Sequence, residues 1–252
     1  MRNIVVGEHI EKSFGEGKEK TKVLGGVSIE IGAGEFVAIM GPSGSGKTTL
    51  MFALSGMDTI NSGRVLFDGM NLASLREEEL ADLRRRRMGF VFQQPTLLKN
   101  LNLLDNIILP AQRGNEKKAA QLTQKAKKLM EQMGLKGLEQ RSIAQVSGGQ
   151  LQRAGICRAL MADPDIIYGD EPTGALNSKS AQEIMSILRE INKAGIALLL
   201  VTHDAKVAAQ AQRVLFMQDG NIVSELRLPV LDGDSLEARV KLVTERMHKA
   251  EI

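Results

Sequence analysis

An apolar run at 36–40 (FVAIM) leads straight into Gly41, Pro42, Ser43, Gly44, Ser45, Gly46, Lys47 and Thr48, with Thr49 next. The octet matches G-x-x-x-x-G-K-[ST], a pattern that works only where a strand feeds a loop that opens a helix. It therefore fixes a strand, a turn and a helix start at one place. The glycines let successive backbone N–H groups curl around phosphate oxygens without Cβ clashes. The helix start adds free N–H groups and a partial positive charge. Lys47 supplies a point charge for the β- and γ-phosphates, and the Thr48 hydroxyl is a magnesium ligand.

A second apolar strand, Ile166 to Tyr168, runs through Gly169 into Asp170 and Glu171. Asp170 can hold Mg²⁺ directly or through water. At the carboxyl end of a parallel strand Glu171 faces the nucleotide, where it can orient and deprotonate an attacking water. Alone, a strand ending in Asp-Glu is an ordinary pair of surface carboxylates; the loop at 41–48 gives it meaning. From here the chain alternates: a helix over 178–194, a strand over 196–201, a short helix over 204–210, then two strands joined at Asp219-Gly220. Strand-helix alternation around buried runs predicts an α/β fold with a mostly parallel sheet. The first forty residues read as antiparallel strands. An all-helical stretch, placed at about 93–162, interrupts the alternation and reads as an inserted α-helical subdomain.

Composition removes other classes. The 252 residues contain one Cys, no Trp and one Tyr, with a formal charge of +3. A single Cys excludes an internal disulfide, and Cys157 within RAGICRAL reads as a buried small hydrophobe. So few aromatic rings cannot build a base-stacking surface for single-stranded nucleic acid, and no nucleic-acid partner is expected. The longest clean apolar run is Ile196 to Val201, far short of the roughly 20 residues a membrane span needs. No targeting segment is expected at MRNIVVGEHIEK.

Between the two phosphate-facing motifs stands VSGGQLQR, 146–153. Ser147, Gly148, Gly149 and Gln150, about a hundred residues after the phosphate loop and just before the Asp-Glu strand, resemble the signature of ABC ATPases, with Val146 where the family usually has Leu. The resemblance runs from about Ile4 to Leu226 and implies a P-loop NTPase core of ABC ATPase type, with ATP and Mg²⁺ as ligands. It also implies further roles. Gln93, in FVFQQP, corresponds to the Gln that touches Mg²⁺ and the attacking water. His203, in LLLVTHD, corresponds to the His at the γ-phosphate, although a lone His is more often structural. Phe14, in EKSFG, corresponds to the ring that stacks on adenine; its plain alternative is a hydrophobic strand end. The metal set is then Thr48, Gln93 and Asp170, and the catalytic set Glu171, His203 and Gln93.

The resemblance further implies two chains head to tail with two ATPs between them, the 41–48 loop of one facing Ser147 to Gln150 of the other. An integral-membrane permease would receive the work through 94–110, placing the chain peripherally on the cytoplasmic face of the cell membrane. GEGKEKTKVL, LRRRRMGFVFQQ and GDEPTGALNSKS are similar to the group serving macrolide export, lipoprotein release and peptide-antibiotic resistance. The VTHDAKVAAQAQRVLFMQDG ending leans to the peptide-antibiotic branch. Macrolide or lipoprotein export is the alternative reading, and a non-transport ABC ATPase a further one. One departure is Asn177, where the family usually carries Asp. The expected division is an ATPase domain over 1–230 and a C-terminal amphipathic helix over 231–252. Leu236, Val240, Val243 and Met247 form one stripe of that helix, expected to pack on the body or on a partner.

Overall fold

The computed structural model describes residues 2–112, 118–229 and 235–250. Its strands are β1 (Asn3–Phe14), β2 (Thr21–Gly32), β3 (Phe36–Met40), β4 (Ser62–Phe67), β5 (Met70–Asn71), β6 (Met88–Phe92), β7 (Ile166–Asp170), β8 (Ala197–Thr202), β9 (Arg213–Gln218) and β10 (Asn221–Arg227). Its helices are α1 (Lys47–Leu54), α2 (Glu77–Arg87), α3 (Leu103–Gln112), α4 (Ala119–Gln132), α5 (Gly148–Leu160), α6 (Ser178–Lys193), α7 (Ala205–Ala208) and α8 (Ser235–Lys249). Six strands form one sheet in the order β10-β9-β3-β8-β7-β6, parallel except where β10 meets β9. The others form an antiparallel sheet in the order β2-β1-β4-β5. The parallel sheet, the antiparallel N-terminal layer and the helical stretch thus stand as the sequence predicts.

Side chains alternate across a strand, and the two faces of the parallel sheet build two cores. Val37 and Ile39 of β3, with Leu199, Val201, Leu215 and Tyr168, pack towards α1 and the antiparallel sheet. Phe36, Ala38 and Met40, with Leu198, Leu200 and Phe216, pack towards α5, α6, α7 and α8. Both faces being covered explains why β3 and β8 read as continuous apolar runs instead of alternating ones. The stripe on α8 lies on this second core: Val243 is fully buried, and Leu236, Val240 and Met247 pack around it.

A third core belongs to the helices. Leu103, Leu104, Ile107 and Ile108 of α3 meet Ala126 and Met130 of α4 and Ala154 and Cys157 of α5. Burial pushes the Cys157 thiol up to about 12, so it behaves as the small hydrophobe its sequence context suggests. Asn102 caps α3, its Oδ1 accepting the Asp105 N–H at 2.8 Å.

The β9–β10 turn locks the phosphate loop to the antiparallel sheet. Gly220 N–H donates to Ser45 O at 3.1 Å, and Gly25 N–H donates to Gly220 O at 2.9 Å. Gly220 has a φ of +76°, and a Cβ there would stand 2.4 Å from Val23 O. Gly220→Ala is therefore expected to cost about 1–3 kcal/mol and to lower Tm in thermal denaturation. An unchanged Tm would mean that the turn can move off the loop without loss.

Candidate functional site

Three parallel strands end side by side. Met40 pairs with Thr202, and Asp170 with Val201. The loops that follow them, from Gly41, Glu171 and His203, therefore open at one sheet edge, where α/β folds bind ligands. There a cleft of about 460 Å³ is lined by Phe14, Ser43, Lys47, Thr48, Asp170, Glu171 and His203, among others.

The loop is shaped to hold anions. Gly46, with a φ of +97°, turns the chain into α1, and a Cβ on it would stand 2.9 Å from Val23 O. The leading N–H groups of α1 have no acceptor within the helix and so face the cleft as donors. Lys47 is buried along its stem, and its ammonium donates to Gly41 O at 2.9 Å and Pro42 O at 2.7 Å. Burial lowers its pKa, against the raising influence of Glu171 and Asp170.

Thr48 Oγ1 donates to Asp170 Oδ1 at 3.1 Å, tying α1 to the end of β7. Burial raises the Asp170 pKa and the neighbouring Glu171 charge adds to it, while the Thr48 hydrogen bond and the Lys47 charge oppose. A hydroxyl and a carboxylate side by side are hard oxygen donors and fit Mg²⁺, which takes few protein ligands and completes its shell with phosphates and water. Among the described residues no three acidic, His or Cys side chains group as an all-protein metal cage.

Glu171 has a φ of +47°, uncommon for a residue with a long side chain and of the kind that collects at functional sites. The backbone is held there by Glu171 N–H donating to Val201 O at 3.0 Å and Gly174 N–H donating to Glu171 O at 2.9 Å. The twist carries the carboxylate out of the strand direction into the cleft. Its Oε1 accepts the His203 N–H at 3.1 Å and lies 2.7 Å from His203 Nδ1. The structure thus brings Lys47, Thr48, Asp170, Glu171 and His203 together.

Other expected residues stand differently. Phe14 is 47% exposed at the cleft mouth, one face of its ring under the Lys12 ammonium, 4.9 Å from the centroid. Gln93 follows β6, whose Phe92 pairs with Asp170, and its side chain packs against Gly174; it is outside the cleft lining. Ser147 caps α5 in a reciprocal box with Gln150: Ser147 N–H donates to Gln150 Oε1 at 2.8 Å, and Ser147 Oγ accepts the Gln150 N–H at 3.3 Å. Gly149 lies against Ser180, and Gly148 faces Leu176. None of these four lines the cleft of its own chain. Asn177 Oδ1 accepts the Ser180 N–H at 2.9 Å, an N-cap for α6 that Asn and Asp fill about equally well.

Sequence reasoning missed three supports. Lys12 is buried with its ammonium on Asp58 Oδ1 and Thr59 O, at 2.7 and 2.6 Å, and so steadies Phe14 from behind. Its i, i+2 spacing on one strand face was the available signal. Thr202 Oγ1 receives the Asp204 N–H at 3.0 Å and shapes the turn after β8. Gln152, buried in α5, donates to Phe92 O at 3.0 Å and Pro172 O at 2.8 Å, joining the signature helix to both strand ends beside Gln93 and Glu171. A second, more apolar groove lies between α2, β6, α3 and α5, lined by Met57, Arg84, Phe90, Phe92 and Pro110 among others.

The family model for ABC transporters matches residues 24–174. The chain is 42% identical over 227 residues to the macrolide export ATP-binding/permease protein MacB of Neisseria gonorrhoeae, covering 88% of this chain and 34% of that protein. It is 45% identical over 216 residues to a protein of Pseudomonas syringae named "Probable syringafactin export ATP-binding/permease protein SyfD", covering 86% and 33%. The chain thus spans about a third of the length of these curated relatives. Among solved structures, the dimeric ATP-binding cassette MJ0796 in a post-hydrolysis state with ADP and phosphate matches at TM-score 0.81 and 35% identity, covering 90% of this chain and all of that one.

Asp170 sits half-buried beside a second carboxylate, a costly arrangement that hydrogen bonding only partly offsets. Asp170→Asn keeps an acceptor for Thr48 and removes the charge. In EDTA without nucleotide it is expected to raise Tm by a few degrees. A lowered Tm would show that the Asp170 charge supports the fold.

Proposed function

On the premise that this chain belongs to the ABC transporter family, we propose that it binds and hydrolyses ATP to power an integral-membrane permease. One observation carries the proposal: the Glu171 carboxylate, joined to His203 at 2.7 Å, opens on the same cleft as Lys47 and the Thr48–Asp170 pair. A phosphate cradle alone is a binding site. A phosphate cradle with a poised carboxylate is a hydrolytic one.

In this reading Phe14 stacks on adenine, and 41–48, with Thr49, cradles the phosphates. Lys47 turns its ammonium from the loop carbonyls to the β- and γ-phosphates. Thr48 and Asp170, with Gln93, hold Mg²⁺. When bound, that ion neutralises developing charge on the phosphates. Glu171 orients the attacking water and accepts its proton. His203 contacts the γ-phosphate, its ring set by Glu171. Gln93 stands next to the strand end that bears Asp170 and reports on the γ-phosphate to the groove beside it.

The site is completed by a second copy of the chain. Ser147, Gly148, Gly149 and Gln150, at the N-terminus of α5, stand outside the lining of their own cleft, and in this reading they serve the nucleotide of the partner. The dimeric state of the MJ0796 cassette supports this arrangement. Two helix N-termini, α1 of one chain and α5 of the other, then face one triphosphate.

The apolar groove between α2, β6, α3 and α5 is the docking place for the permease. Thr96 and Pro110 of the segment 94–110 line it, Leu98 and Leu109 of the same segment are exposed, and an apolar helix laid in a groove is a common recognition mode. No helix among the described residues is long and apolar enough to cross a membrane; the permease holds the chain at the cytoplasmic face. For the cargo we favour peptide-antibiotic resistance, on the segment from Val201 to Gly220. The names of the relatives, macrolide and syringafactin export, support the alternative of an export pump.

A tagged Glu171→Gln chain, loaded with Mg-ATP and recovered from source membranes, tests the reading. A permease of about ten spans with a large extracytoplasmic domain supports the peptide-antibiotic branch, and one of four spans the export branch. Recovery of only soluble proteins or nucleic acid overturns the transporter role. The same substitution is expected to lower kcat at least about a hundredfold with ATP affinity kept. Undiminished turnover would remove Glu171 as the base.

A further inference from the structure

α8 takes no part in the reading above. Its apolar stripe seals one face of the sheet, yet in the middle of that seal lies Arg239, only 2% exposed. A cation taken out of water is expensive unless its donors are fully used. Here they are used on main-chain oxygens. Nε donates to Ala209 O at 2.6 Å, while Nη1 and Nη2 donate to Pro229 O and Ala211 O. A leucine would seal the same contact at lower cost, but it would not fix where the carbonyls stand. A planar guanidinium fork does.

Ala209 and Ala211 belong to the segment that ends α7, and α7 is a single turn. Ala209 N–H donates to Ala205 O at 2.9 Å, and Ala208 N–H to Asp204 O at 3.0 Å. Asp204 Oδ1 caps the same turn by accepting the Lys206 N–H at 2.7 Å, and Asp204 N–H donates to Thr202 Oγ1 at 3.0 Å. Val207, Ala208, Ala209 and Ala211 are all buried in the core that holds Val243. So short a helix has no slack between its ends, and His203 is the residue immediately before its cap. The positive charge of Arg239 at the carbonyl end also favours the turn electrostatically.

We infer that Arg239 is a positioning residue for His203: α8 clamps the carboxyl end of α7 through two carbonyls, Ala209 O and Ala211 O, with Pro229 O after β10 taking the third donor, and the rigid turn transmits that fixed position to the His203–Glu171 pair. This rests on the reading of His203 as the γ-phosphate contact. The clamp acts on the hydrolytic step and not on ATP binding, because Phe14 and the 41–48 loop lie on other elements. It also gives the C-terminal helix a means of governing turnover: whatever lifts α8 from the core releases His203.

The test is steady-state hydrolysis by the purified full chain, at a temperature where circular dichroism shows each variant folded. Arg239→Met is expected to lower kcat about tenfold with the ATP KM within about twofold. Arg239→Lys, a point charge that cannot reach three carbonyls, is expected to recover part of the rate. Arg246→Ala is the control. It cuts the tie of the same helix to β10, where Arg246 Nη1 donates to Ser224 Oγ at 3.1 Å, and it is expected to lower Tm without touching kcat. In a His203→Ala background, Arg239→Met is expected to add no further loss. If Arg239→Met does not fold, Arg239→Lys carries the test, with kcat expected about threefold down at unchanged KM. Wild-type kcat in the Arg239 variants, equal losses in Arg239→Met and Arg246→Ala, or an additive loss with His203→Ala overturns the inference. Wild-type kcat in His203→Ala overturns instead the role of His203 on which it rests.

Discussion

The register of three parallel strands is the constraint on which the site depends. Because Met40 stands beside Thr202 and Asp170 beside Val201, the phosphate loop, the carboxylate pair and the histidine leave the sheet at one level. A shift of one residue in β7 would turn Asp170 to the other face and remove it from Thr48. The register is secured by burial on both faces, since every residue of β3 and β8 is buried. The chemistry of the cleft is thus fixed by apolar side chains that never meet a nucleotide.

The same edge concentrates features that work against stability. Glu171 adopts a backbone conformation that costs about 1–3 kcal/mol at a non-glycine residue. Asp170 and Lys47 both resist their charged forms through burial. Each is held by neighbours: Val201 O and Gly174 for the Glu171 backbone, Thr48 for Asp170, and the carbonyls of Gly41 and Pro42 for Lys47. Strain and buried charge of this kind identify a site shaped for a task other than folding.

Much of this was legible in the sequence. The strand-loop-helix at 36–54, the Asp-Glu strand end and the alternation after 160 follow from local pattern, and local pattern is what these elements obey. The long-range supports did not show. Lys12 beneath Phe14 joins positions that β-pairing and a loop at 58–59 bring together, and Gln152 reaches carbonyls on two other segments. Arg239 falls within the apolar stripe of its helix, three residues after Leu236 and four before Val243, and the structure places its guanidinium on the end of α7. Such polar contacts bind main-chain atoms, whose positions no residue type reveals. Asn177 shows the reverse: its departure from the family pattern stands out in the sequence, and the structure gives it an ordinary cap.

The division of the site between two chains is the central claim. Ser147 and Gln150 cap α5 outside the lining of their own cleft, so in the proposed reading a single chain has a phosphate cradle and a base but lacks the second helix terminus. The direct measurement is the molar mass of the Glu171→Gln chain by light scattering, with Mg-ATP and with Mg-ADP. A dimer with ATP and a monomer with ADP is the predicted result, because only the triphosphate reaches both helix ends. A monomer under both conditions at saturating nucleotide, or a dimer indifferent to the γ-phosphate, would contradict it.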